Sequence, residues 1–224
     1  DGSRDVWLFN NATTRCFGGL EIKAHATSSA ASTVKIVGHL SVDDHRSFNF
    51  RHIGHHQATD PTSQTAYNII ATRLIAQTPL YTPLYQNSKP RALIVSAYRN
   101  VVIHDFTVLG DPYYDYQEQP VIGIQYKARN VTLSQVKMSG FRQAKTDIQV
   151  FGGDNRAEDV RLIDVRIEDS AKHGITIGPN IEHVRLTNVA IKGDGTVGLN
   201  AKSEPELERF IATGYKVPVR THAT

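Results

Sequence analysis

The residues best suited to chemistry crowd into two stretches. Residues 109–120, LGDPYYDYQEQP, set Tyr113, Tyr114 and Tyr116 among Asp111, Asp115 and Glu118. Flat aromatic faces stack on sugar rings, and carboxylates bind hydroxyls or act as acid and base. Further along stand Arg142, Lys145, Asp147 and Gln149, then Asp169, Lys172 and His173, then Asp194. Two mechanisms fit this set. A lyase acting on a uronic acid needs a cation beside the sugar carboxylate and a base for the adjacent proton; Arg142, Lys145 or Lys172 supply the first, His173 or a tyrosine the second. A glycoside hydrolase needs two carboxylates at a defined separation, and Glu118, Asp147 and Asp169 are the candidates. The catalytic candidates are therefore Asp147, His173, Lys145, Glu118 and Asp169. The sugar-binding candidates are Tyr113, Tyr114, Tyr116, Asp115, Gln149 and Arg142. Neither mechanism needs a cofactor. A histidine group, His45, His52, His55 and His56, lies within residues 42–60. Alternation turns Phe48 and Phe50 inward, so these histidines point to different sides and no metal site is expected.

Such residues need a scaffold, and internal repeats describe one. Four segments align without gaps: NVVIHDFTVLG (100–110), NVTLSQVKMSG (130–140), DVRLIDVRIED (159–169) and HVRLTNVAIKG (183–193). Apolar residues fall at offsets 0, 2, 5 and 7 from Val101, Val131, Val160 and Val184. Period-2 pairs are short strands with one buried face, and the step from offset 2 to offset 5 is a tight bend. NIIATRLIA (68–76) is a weaker fifth copy, and DVWLFNN near the start begins like another. Between the copies runs a second track: IGIQY (122–126), DIQVF (147–151), GITIG (174–178) and TVGL (196–199), with earlier members near residues 93–95, 48–50 and 20–22. Offset 4 holds Asp105, Gln135, Asp164 and Asn188, side chains that can hydrogen-bond along a stack and satisfy a bend.

The expected fold is all-β: a single-stranded parallel β-helix of about seven coils, each of three short strands, over residues 1–200. Each end of such a rod exposes strand edges that need covering. In SEPELERFIATG (203–214), Ser203 and Glu206 form a capping box, Pro205 stands early and Gly214 is a stop. Residues 201–224 are accordingly expected to form a short C-terminal capping helix and a tail.

Composition bounds the rest. With 224 residues, 40% of them apolar, one domain with a sizeable core is expected. No run approaches the roughly 20 apolar residues that cross a bilayer, and Cys16 alone makes no internal disulfide. A net charge of +3 gives no reason to expect a nucleic-acid partner. Ten histidines would add positive charge in mildly acidic surroundings. Met138 is the only methionine, so the chain reads as a processed product or an excised piece of something longer. Arg161, Arg185, Lys137 and Arg166, at the outward offsets 1 and 6, form a basic stripe that suits an anionic polymer or merely solubilises the sheet.

On these repeats the chain resembles the right-handed parallel β-helix proteins of the pectate-lyase-like superfamily, which include pectin-degrading enzymes, alginate-type lyases and phage tailspike depolymerases. In the polygalacturonase-like subfamily pattern, Asp147 of Lys145-Thr146-Asp147 matches the first motif. Lys172 and His173 stand where an Asp-Asp pair belongs, and no Arg-Ile-Lys follows. The resemblance implies a polysaccharide lyase or glycoside hydrolase acting on an extracellular or cell-surface acidic glycan. It places the protein outside the cell or on a virion surface, as a homotrimer or part of a larger parent chain, with no membrane partner. The rival expectation is a non-catalytic glycan-binding rod, or a structural β-helix segment of a larger assembly.

Overall fold

The computed structural model describes residues 2–25, 29–53, 66–81, 89–116, 119–152 and 156–222. Among them the chain forms strands and no helix. The strands come in eight pairs. They are β1 (Arg4–Thr14) with β2 (Gly18–His25), β3 (Ser32–Val42) with β4 (Arg46–Ile53), β5 (Tyr67–Gln77) with β6 (Arg91–Ser96), and β7 (Arg99–Leu109) with β8 (Pro120–Gln125). Then follow β9 (Arg129–Ser139) with β10 (Thr146–Phe151), β11 (Ala157–Glu168) with β12 (His173–Ile177), β13 (Ile181–Lys192) with β14 (Val197–Ala201), and β15 (Glu206–Thr213) with β16 (Val217–Thr221). The odd strands make one eight-stranded parallel sheet and the even strands another, each in chain order. Each pair is one rung of a solenoid.

Register follows the apolar pattern. Offset 2 stacks as Leu8, Ile36, Ala71, Ile103, Leu133, Leu162, Leu186 and Leu207 across the whole odd sheet. On the even sheet Leu20, Phe48, Leu93, Ile122, Ile148, Ile175, Leu199 and Val219 do the same. Away from the ends these rows are buried, Ile36, Ile103, Leu133, Phe48 and Ile148 completely. A slip of one residue would turn a whole row to solvent, so the register is tightly specified.

The corners have their own rule. Offset 4 takes a positive φ in every rung: Asn10, Gly38, Arg73, Asp105, Gln135, Asp164, Asn188 and Arg209. Left-handed residues recur five positions to either side, at Asp5, Thr33, Asn68, Asn100, Asn130, Asp159 and His183, and at Arg15, Asp43, Thr78, Gly140, Asp169 and Gly214. Side chains bonded from rung to rung compensate for this conformation, which most residues avoid. Asn188 Nδ2 donates to Asp164 Oδ1 at 2.6 Å. Asn130 donates to Asn100 and Asn100 to Asn68, each at 3.0 Å, and Arg161 donates to Asn130 at 2.9 Å. Gly38 has no side chain for a further reason: a Cβ there would stand 2.6 Å from Asn10 Oδ1.

Three expectations are corrected. Each coil has two strands, not three short ones, because the ladder runs on through the offset-4 bend, and there are eight pairs rather than about seven coils. The expected C-terminal capping helix is β15 and β16. The open edge of β13 takes β15 with Leu186 beside Leu207, Val189 beside Phe210 and Ile191 beside Ala212. Gly214 is then the rung's left-handed corner, φ 83°, instead of a helix stop. One strand, β3, was hidden in the sequence because two of its buried positions are polar, His39 and Ser41.

Buried carboxylates sit at two corners. Asp44 accepts hydrogen bonds from Thr13 Oγ1 at 2.6 Å, Ser41 Oγ at 2.7 Å and the Cys16 amide at 2.7 Å. Asp147 accepts from Ser170 Oγ and from the Ala171 amide at 3.0 Å, and Tyr215 donates to Ser170 Oγ in turn. Its Oδ1 is buried with no hydrogen-bond partner among the described residues. Complete burial pushes its pKa up to about 8, outweighing the two hydrogen bonds.

Two predictions follow from these corners. Asp164→Val, which loses the bond to Asn188 and puts a β-branched residue at φ 54°, should lower stability by about 2 kcal/mol in urea unfolding. Asp164→Gly should cost less than half of that. An unfolded aspartate has lost its proton above about pH 4, whereas folded Asp147 keeps it to about pH 8. Stability should therefore fall between those values as pH rises, by up to about 1.4 kcal/mol per unit, then level off. Asp147→Asn should flatten that slope in urea titrations at several pH values.

Candidate functional site

The outer face of the even sheet presents a ladder of polar side chains. Gln149, Thr176, Asn200 and Arg220 are register partners on β10, β12, β14 and β16. Over the middle of this ladder lies an open groove of about 280 Å³, lined by Lys145, Gln149, His173, Thr176, Asn200 and Lys202, with Phe151 and Pro120 at its border. Among the described residues no carboxylate lines it. Among the described residues, His173 Nδ1 and Thr176 Oγ1 are buried without a hydrogen-bond partner. Burial, then the charges of Lys172, Lys145 and Arg220, holds the His173 imidazole below its ordinary pKa. Three of the expected residues, Lys145, Gln149 and His173, thus meet in one groove.

The other candidates lie elsewhere. Alternation predicts an outward Asp147, but Thr146, Asp147 and Ile148 are all buried where the chain turns into β10, and the Asp147 carboxyl points into the rod. Arg142 pairs with Asp169 at 3.1 Å and Asp194 at 3.9 Å, on a separate surface with Lys192 and Thr213. In the tyrosine loop only Tyr113 is free of the rod, 91% exposed. Tyr116 is buried, packs on Phe141 at 5.0 Å and accepts the Asp111 amide through its hydroxyl. Tyr114 stacks edgewise on Tyr116 at 4.9 Å, and its hydroxyl accepts the Tyr81 amide. Asp115 is exposed on the same loop, and Glu118 lies outside the described residues. The described carboxylates therefore do not face one another across the groove.

The basic stripe is largely spent on rung-to-rung ties. Arg161 bonds Asn130, Arg166 bonds the Asn188 carbonyl and side chain, and Arg185 pairs with Glu206 at 2.6 Å. Of the histidine group, His45 is buried against Phe17, where burial first and then Arg46 lower its pKa to about 4. His52 is also buried, and His55 and His56 lie outside the described residues.

Sequence reasoning missed a cluster at the head of the groove. Arg46 and Arg91 are register partners on β4 and β6, and Arg51 pairs in register with Lys23 of β2. Arg91 donates to Gln119 at 2.7 Å and Gln125 at 3.4 Å. Those two residues adjoin the Pro120 and Phe151 border: Gln119 precedes Pro120, and Gln125 is the register partner of Phe151. Glu21, bonded to Lys23 and to Asn49, is the carboxylate among them. Burial raises the Glu21 pKa, but the bonds from Lys23 and Asn49 and the charges of Lys23 and Arg46 outweigh it, and the net shift is downward. Burial, with Arg46 and Arg51 nearby, lowers Arg91 to about 10. The signal was weak because these arginines come from two rungs and look like ordinary surface charges one at a time.

No family model matches the chain. The chain is 44% identical over 219 residues to a putative phage-related protein, YobO, of Bacillus subtilis, covering 97% of this chain and 27% of that protein. It is 42% identical over 231 residues to the pre-neck appendage protein of Bacillus phage phi29, covering 100% of this chain and 27% of the relative. The solved N-terminal fragment of phi29 gene product 12 matches with TM-score 0.90 and 39% identity, over 100% of this chain and 38% of that one. The pre-mature form of the same gene product matches with TM-score 0.93 and 40% identity, over 100% and 30%. The chain thus spans about a quarter of the length of the curated relatives it matches. These likenesses overturn the pectate-lyase-like resemblance and, with it, the reading as a lyase or glycoside hydrolase: the phage relatives are named for an appendage, and the residues picked for chemistry are scattered over the rod. Over its whole length the chain is homologous to a segment of phage pre-neck appendage proteins, with the fold of a right-handed parallel β-solenoid.

Proposed function

We propose that the chain is a structural, non-catalytic solenoid segment of an appendage on the outer surface of a phage virion, and that it works as a trimer of parallel rods. The end-to-end match to pre-neck appendage proteins carries this reading. A solenoid suits the task, since each rung is held by its neighbours and length is added without a new core.

The odd sheet supports self-association. Its first rungs expose apolar side chains on both sides of the offset-4 corner. On one side stand Trp7, Phe9, Ile70 and Val102, with Trp7 and Phe9 stacked at 5.6 Å and Lys35 lying over the Trp7 ring. On the other stand Leu40, Ile75 and Leu109. Higher up, the same columns carry Thr132, Arg161 and Arg185 on one side, Lys137 and Arg166 on the other. Apolar strips of this kind mark contact surfaces. Two of them at the same height, one on each side of a corner, let the first face of one copy meet the second face of the next, and such head-to-tail contacts close into a ring.

Light scattering on the purified chain should give three times the 24.8 kDa of one chain. The double variant Trp7→Asp and Ile70→Asp should be monomeric with an unchanged β-sheet circular dichroism spectrum. A monomeric parent at tens of micromolar, or a variant that still forms trimers, would contradict the assembly. Mixed with polygalacturonate or alginate, the chain should release neither new reducing ends nor an ultraviolet-absorbing unsaturated product.

A further inference from the structure

In a solenoid most side chains touch only the rungs directly above and below. Tyr215 reaches further. It stands at the corner between β15 and β16, yet its hydroxyl bonds Ser170 on the corner two rungs earlier, and Ser170 bonds Asp147 one rung before that. The rung between makes way with glycines. A Cβ on Gly193 would stand 2.8 Å from Ser170 Cβ and 3.0 Å from the Tyr215 hydroxyl, and one on Gly198 would stand 3.3 Å from Tyr215 Cδ2. Tyr215 is buried, whereas Thr213, Gly214 and Lys216 beside it are exposed. The ring therefore fills a gap that the glycines open, and beyond it lies the fully buried Asp147 carboxyl. Among the described residues no cation stands within salt-bridge distance of that carboxyl. Lys145, Lys172 and Lys216 are exposed, His173 lines the groove, and Arg142 pairs with Asp169 and Asp194. Burial above all, then the charges of Asp147 and Asp194, keep the Tyr215 phenol above its ordinary pKa against the bond to Ser170, so it stays a donor.

We propose that Tyr215 is a plug over the Asp147 carboxyl, and that ionisation of this carboxyl drives the plug outward, opening the Tyr215 corner while the rod stays folded. A neutral carboxyl tolerates complete burial; a carboxylate with one partnerless oxygen does not, and needs water. The space that the ring vacates between Gly193 and Gly198 is the shortest way in. The corner can supply the movement: Gly214 beside the tyrosine is left-handed, φ 83°, and the Lys216 amide reaches the Gly195 carbonyl only at 3.3 Å. The direction with pH follows from linkage. In the closed form Asp147 keeps its proton to about pH 8, and in a wetted form it loses it above about pH 4. Opening between those values releases a proton. The open form therefore gains by up to about tenfold per pH unit as pH rises, and the gain stops above the closed-form value. This device does not rest on the appendage reading.

The test is amide hydrogen exchange read residue by residue at several pH values, as protection relative to the intrinsic rate at each pH. The Lys216 and Val217 amides, which bond across to Gly195 and Thr196, report the corner; the amides of β9 report the whole rod. The corner should be less protected than β9, and its protection should fall severalfold to about tenfold per unit from pH 6 to pH 8. In Asp147→Asn the corner should lose that slope. The carbon-13 signal of the Asp147 carboxyl should titrate near pH 8 in the parent and in Tyr215→Phe, which keeps the ring. In Tyr215→Ala, which removes it, the midpoint should drop toward the ordinary carboxylate range. Corner protection that does not change with pH would overturn the plug, as would a slope that persists in Asp147→Asn. Corner amides that exchange only together with β9 would overturn it too, since the carboxyl would then be wetted only by global unfolding. So would an unchanged Asp147 midpoint in a folded Tyr215→Ala variant.

Discussion

The in-register stacking of one rung on the next is the constraint on which everything else depends. Each strand's backbone groups are satisfied only by the strands above and below it, and each inward residue packs mainly on its counterparts in those rungs. Ile103 beside Leu133 beside Leu162 is one such column, without a break. The column survives only if every rung turns its corners at the same places. That is why a positive φ recurs every five residues on the odd sheet, even at Arg73 and Arg209, where the residue type does not favour it. The asparagine chain from Asn68 through Asn100 to Asn130 shows the same logic in side chains.

Fixed corners give the rod faces with separate characters. The odd sheet is apolar near its start and tied together by Arg–Asn and Arg–Glu bonds further on, so its charges are largely consumed within the rod. On the even sheet Lys23 pairs with Glu21, whereas Arg46, Arg51 and Arg91 have no ion-pair partner within salt-bridge distance among the described residues. Arg46, Arg51 and Arg91 lie close enough for their charges to reinforce one another's burial cost, and Arg91 shows it most. One sheet is suited to meeting other copies, and the other gathers half-buried cations on its outer face.

The fold was legible where inward residues were apolar. Offsets 0, 2, 5 and 7 located β5, β7, β9, β11 and β13, and the second track located most of the even strands. Legibility failed where other physics wrote the same letters. His39 and Ser41 occupy inward places of β3 because Asp44 and Thr13 satisfy them, so a polarity pattern passes over that strand. Ser203 and Glu206 mimic a helix cap, but residues 205–212 also fit the rung pattern, and an open sheet edge outweighs a capping box. Asp147 defeated alternation because the rule holds within a strand and not at the corner where one begins. The groove was half legible, through Lys145, Gln149 and His173. The arginine cluster was not, since Arg46, Arg51 and Arg91 become neighbours only after two rungs are wound. Enzymatic chemistry was inferred from residue types that many solenoids share, and a fold does not choose between chemistry and architecture.

A structure of the assembled protein, by crystallography or electron cryomicroscopy, tests most directly the central claim that the two sheets have separate jobs. It should show the offset-4 corners turned toward the assembly axis, Trp7 and Ile70 of each copy against Leu40 and Ile75 of the next, and the face with Arg51 and Lys202 open to solvent. Copies packed through the even sheet, with the Arg46–Arg51–Arg91 cluster neutralised by a neighbour's carboxylates, would contradict it.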